Sequence, residues 1–98
     1  MKQYVIERDV PGAGALTEAQ LQDIARRSQE VARSLGPRIQ WIRSYVTEDK
    51  IYCVYIAEDE DIIREHARIV GAPANRIEAV RLLLDSAGGT TSAAAAAG

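Results

Sequence analysis

Residues 39–57, IQWIRSYVTEDKIYCVYIA, place branched and aromatic side chains on both sides of a polar break at Thr47-Glu48-Asp49-Lys50. Two strand-forming runs, Ile39 to Val46 and Ile51 to Ala57, joined by a short polar turn read as a β-hairpin. Toward the N-terminus, Thr17 is a good helix N-cap, and Gln20 three residues later completes a capping box. Leu16 and Leu21 take the hydrophobic-staple positions. Leu21, Ile24, Ala25, Ser28, Val31, Ala32 and Leu35 then form one stripe at helical spacing. Gly36-Pro37 ends it, because glycine supports a left-handed cap and proline cannot continue the helix. Before this helix, the run Gln3 to Arg8 is rich in strand formers, and Pro11, Gly12 and Gly14 mark a loop. Toward the C-terminus, the acids Glu58 to Asp61 open a second helix at its positive dipole end. Its stripe is Ile62, Ile63, His66, Ala67 and Val70, with Gly71 as cap, Pro73 in the next turn and a last strand from Ile77 to Leu84.

The order β-α-β-β-α-β is a split βαβ unit used twice. It predicts an α+β, ferredoxin-like fold: an antiparallel four-stranded sheet with both helices on one face. Side chains alternate along each strand, so each strand divides into two rows. Assigning the more aliphatic row of the third strand, Tyr52, Val54 and Ile56, to the helices leaves Trp41, Tyr45, Ile51, Cys53 and Tyr55 on the other face, with Arg43 and Arg81 among them. That composition needs a cover. A homodimer stacked through the sheets supplies one, and a small-molecule ligand held in a sheet-face cavity supplies another.

The chain has 98 residues, enough for one hydrophobic core and no second domain. The folded unit is expected over residues 1–84. Residues 85–98, rich in glycine and alanine, are expected as a disordered tail, because ordering them buries almost nothing. A formal charge of -2 with interspersed signs argues against a nucleic-acid partner. No apolar run suits a membrane span or a signal peptide. A single cysteine fits a soluble protein of the reducing cytoplasm.

Chemistry-bearing residues are few. His66 is the only histidine. Its plain reading is a satisfied core residue on an apolar stripe, and its functional reading is a general base or metal ligand poised near neutral pH. Glu7 reads either as a salt-bridged carboxylate or as a metal ligand or proton-transfer group. Cys53 is mid-strand, without a Cys-x-x-Cys partner. There is no phosphate-binding glycine loop, dinucleotide fingerprint, serine elbow or zincin helix, and one histidine with one cysteine cannot close a structural zinc site in a monomer.

Several segments in order are similar to one known family: YVIERDVPG at 4–12, WIRSYVTEDK at 41–50, YCVY at 52–55, His66-Ala67, and GAPANRI at 71–77. The chain resembles, over roughly residues 3 to 82, a family of small bacterial domains whose best-described member is a nickel-binding streptomycete protein. The resemblance implies a ferredoxin-like homodimer and binding of nickel or another divalent transition metal, with His66 and Glu7 as candidate ligands. The runner-up is a cofactor-free enzyme acting by proton transfer on a hydrophobic metabolite. His66 or Glu7 would move the proton, and Arg43 or Tyr45 would stabilise oxyanion charge. A non-catalytic structural or regulatory dimer is the third.

Overall fold

A computed structural model describes residues 1–92 of the chain. Strand β1 (Lys2–Asp9), helix α1 (Glu18–Leu35), strands β2 (Ile39–Val46) and β3 (Lys50–Ala57), helix α2 (Glu60–Val70) and strand β4 (Arg76–Ala79) follow one another. The strands form one sheet in the order β2-β3-β1-β4, and every neighbouring pair is antiparallel. This is the ferredoxin-like arrangement expected from the hairpin outward. Among the described residues no helix is long and apolar enough to cross a membrane.

The local signals act as their chemistry dictates. Thr17 Oγ1 accepts from the Gln20 amide at 3.1 Å while Gln20 Oε1 accepts from the Thr17 amide at 2.9 Å, closing the capping box. Asp59 caps α2 by accepting from the Ile62 amide at 3.0 Å. Gly71 closes α2 in the left-handed region, with φ 80°. Gly36 does not do this: it ends α1 in an extended conformation with φ -61° and ψ 154°, and the chain turns through Pro37 and Arg38 into β2.

Strand β4 is shorter than the expected run from Ile77 to Leu84. Its pairing with β1 runs from Arg76 opposite Glu7 to Ala79 opposite Tyr4, and the Val80 amide donates to Gln3 O just beyond it. Residues 82–84 instead form β5 (Leu82–Leu84), which pairs with β6 (Thr90–Ser92). Of the tail expected over 85–98, residues 93–98 lie outside the described residues.

In β3 the two rows are the reverse of the expected ones. Ser28 of α1 and the His66 ring of α2 both meet Tyr55, so the row Ile51, Cys53 and Tyr55 faces the helices. Tyr4, Ile6 and Arg8 of β1 stand directly opposite Tyr55, Cys53 and Ile51 and share that face. Tyr52 and Val54 take the outer face with Val5 and Glu7. In β2 a bulge between Trp41 and Arg43 breaks the simple alternation. Trp41 lies opposite Tyr55 on the helix side, whereas Arg43 and Tyr45 lie opposite Val54 and Tyr52 on the outer side. Of the five residues expected to cover a dimer contact, only Tyr45 is therefore on the outer face.

Candidate functional site

The helices do not close completely on the sheet. Between them lies a cavity of about 460 Å³, walled by Arg8, Ser28, Trp41, Cys53, Tyr55 and His66 among others, with apolar side chains supplying most of the remainder. Ile24 and Val46 belong to the same wall, yet are 44% and 42% exposed, which marks an apolar rim open to solvent. The volume falls within the roughly 300–1,000 Å³ of small-molecule sites.

Arg8 reaches this interior because β1 alternates. Tyr4, Ile6 and Arg8 point one way, and the third of them carries a charge instead of an apolar group. The strand is held in place by the loop after α2: Asn75 Oδ1 accepts from the Asp9 amide at 2.7 Å, and the Asn75 amide donates to Glu7 O at 3.0 Å. Arg8 is only 5% exposed. Its Nη1 donates to Pro73 O at 2.6 Å. Its Nε donates to Cys53 Sγ at 3.4 Å, an ordinary length for a sulfur acceptor, and its Nη2 makes a longer contact to Tyr55 Oη, also at 3.4 Å. A guanidinium has five N–H donors, and all three acceptors of this one are uncharged. Among the described residues Arg8 forms no ion pair.

Tyr55 cannot serve as its counterion near neutral pH. Burial, with the Cys53 sulfur beside it, holds the phenol above its ordinary range against the opposing influence of Ser28 and Arg8. It stays a neutral hydrogen-bonding group, its hydroxyl 3.4 Å from Ser28 Oγ. Burial pulls against the charge on Arg8, but Tyr55 and Cys53 outweigh that and raise its pKa further. The cation is permanent.

His66 is 1% exposed, and its ring meets Tyr55 edge-on at 5.2 Å between centroids. Nε2 lies 2.9 Å from the carbonyl oxygen of Ser28. A carbonyl only accepts, so Nε2 carries the proton and Nδ1 is the bare nitrogen. Among the described residues Nδ1 has no hydrogen-bond partner. Burial lowers the His66 pKa, the Ser28 carbonyl opposes this, and the Arg8 charge adds to the lowering. The contribution to stability is therefore complete above the unfolded-state value of about 6.5. It is lost as pH falls toward the folded-state pKa, because the unfolded chain accepts a proton that the folded chain resists. In urea titrations at about pH 7.5 and 5.5, this group should steepen the acid loss by up to about 1.4 kcal/mol per pH unit. His66→Gln should remove that part; an unchanged pH dependence would assign the loss to other groups.

The residues singled out from sequence are not one constellation. His66 belongs to the interior wall. Glu7, Arg43 and Tyr45 are on the outer face, across the sheet from it. Glu7 is half-buried and shares Lys50 with Asp9, at 3.4 and 2.6 Å from the ammonium nitrogen. Among the described residues no three His, Cys, Asp or Glu side chains converge into a place for a metal ion. The proton-transfer arrangement of His66 with Glu7, Arg43 and Tyr45 is likewise not assembled within one copy. What sequence reasoning passed over is Arg8. Its position two residues beyond Ile6 and four beyond Tyr4, in the same alternating row of β1, was the available signal.

A family model described as nickel responsive protein SCO4226-like matches residues 4–80. The crystal structure of SCO4226 from Streptomyces coelicolor A3(2) is similar in fold, with a TM-score of 0.71 and 15% sequence identity. The likeness covers 83% of this chain and 98% of that one. No curated protein matches the sequence.

Proposed function

The chain belongs to the nickel responsive protein SCO4226-like family, and on that premise we propose that it is a small binding protein whose ligand occupies the cavity between helices and sheet. The observation that carries this reading is Arg8, buried without a carboxylate partner on the wall of a space of about 460 Å³. A buried charge is costly unless paired. A site that keeps one on a cavity wall is organised around something that enters. Native mass spectrometry of tag-free protein should detect uptake of a small molecule from a metabolite panel. Ala25→Phe, which fills space on the α1 wall, should abolish it. Uptake undiminished in that variant would rule out the cavity as the site.

Association with nickel or another divalent transition metal, in a homodimer, is a second reading, favoured by the family description. It fits the outside of the sheet better than the cavity. At about 5 Å from a guanidinium, a divalent cation meets roughly 6–7 kcal/mol of repulsion at an effective dielectric of about 20. Glu7, on the outer face, is then the donor within reach, and stacking two copies through Val5, Tyr52 and Val54 would bring two such carboxylates to one interface. Sedimentation velocity with and without Ni²⁺ tests both parts. Val54→Arg should dissociate the dimer, and Glu7→Ala should remove any effect of nickel. A wild type that is monomeric at micromolar concentration with and without nickel contradicts the reading. The buried single Cys53 fits the reducing cytoplasm as the compartment.

A further inference from the structure

Among the described residues, two arginines, Arg8 and Arg27, contribute to the cavity wall, and no aspartate or glutamate does. This is the reverse of the whole chain, where 14 acids outnumber 12 Lys and Arg. Arg27 lies at the exposed end, its Nη2 3.0 Å from Ile69 O. Arg8 lies at the buried end, beside the Cys53 sulfur and the Tyr55 hydroxyl, which is itself 3.4 Å from the Ser28 hydroxyl. Around this polar end the wall is Val10, Leu21, Ile51, Val70 and the Trp41 ring.

We infer that the ligand is a small organic anion, a carboxylate with a flat apolar body, whose head group pairs with Arg8 while its body lies along the apolar wall toward the rim at Ile24 and Val46. The inference rests on the reading of the cavity as the binding site and adds the charge and shape of what it takes. A carboxylate matches the fork of a guanidinium with two parallel hydrogen bonds. One buried cation neutralises one negative charge, which favours a monoanion over a dianionic phosphate. The neutral Tyr55 hydroxyl adds a donor that a carboxylate oxygen can use. The apolar remainder of the wall excludes a ligand that is polar throughout.

Three planar molecules of nearly one shape separate the contributions: benzoate, benzamide and benzamidine. Trp41 is the only tryptophan and lines the cavity, so its emission reports occupancy in the unmodified protein. Titration at pH 7.5 should show benzoate binding at least about tenfold tighter than benzamide, about 1.4 kcal/mol, and no saturable response to benzamidine. Arg8→Met should make benzoate and benzamide equivalent, whereas Arg27→Met should keep most of the preference. Equal or tighter binding of benzamide in the wild type overturns the anion while leaving the cavity as a ligand site. No response to any of the three at about 10 mM overturns both. A preference for benzoate that survives Arg8→Met removes Arg8 as the anchor. If Arg8→Met does not fold, the wild-type ranking alone still decides the charge.

Discussion

Tyr55→Ala should lower the unfolding free energy by about 3–5 kcal/mol, the range for truncating a buried aromatic. Tyr45→Ala should change it by no more than about 0.5 kcal/mol, as for most surface positions. Tyr55 is 1% exposed and holds an edge-on contact with His66, whereas Tyr45 is 53% exposed on the outer face. Small domains are stable by only about 5–15 kcal/mol, so the first change removes a large share of the total. Urea unfolding of the two variants beside the wild type decides the matter. Losses of similar size in both would restore the alternation read from sequence, in which the two tyrosines share a row.

The second large effect has the opposite sign. Arg8→Met keeps a long side chain and removes a buried cation that forms no ion pair with the described residues. Replacing buried charge by an apolar side chain of similar volume is often neutral, or stabilising by roughly 1–4 kcal/mol. The lost contact to Pro73 O is small beside this, because Pro73 is exposed and its carbonyl can turn to water. Without added ligand, Arg8→Met should therefore unfold at equal or higher urea than the wild type. With benzoate present, only the wild type should gain stability, in proportion to the logarithm of free ligand. A loss of about 3–5 kcal/mol in Arg8→Met would mean that the guanidinium is a structural brace between β1, Cys53, Tyr55 and Pro73.

The element order was legible because its signals are local. Thr17 with Gln20, the acids before Ile62, Gly71 after Val70 and the polar break at residues 47–50 each act within a few residues of chain. The facing of the strands was not legible in the same way, for two reasons. The bulge in β2 puts Trp41 and Ser44, three residues apart, on one face, with Trp41 Nε1 donating to Ser44 Oγ at 3.0 Å. The helix side is also not uniformly apolar. Ser28 and His66 on the helices meet Tyr55 on the sheet, which in turn contacts Arg8, so the more aliphatic row of β3 was the wrong one to bury. The site was legible only in part. His66 stood out as a lone imidazole on an apolar stripe, while Arg8 looked like one more charge in the run Glu7-Arg8-Asp9 until the register of β1 gave its direction.

The central claim is that the space between helices and sheet is a ligand site anchored on Arg8. A crystal of the wild-type protein soaked with 4-iodobenzoate tests it most directly, because iodine scatters anomalously and reports its own position. One strong iodine peak is expected inside the cavity, near Trp41 and the rim at Ile24 and Val46, with the carboxylate on the Arg8 guanidinium. Iodine found only on the outer face of the sheet, or inside the cavity with the carboxylate turned away from Arg8, would contradict it.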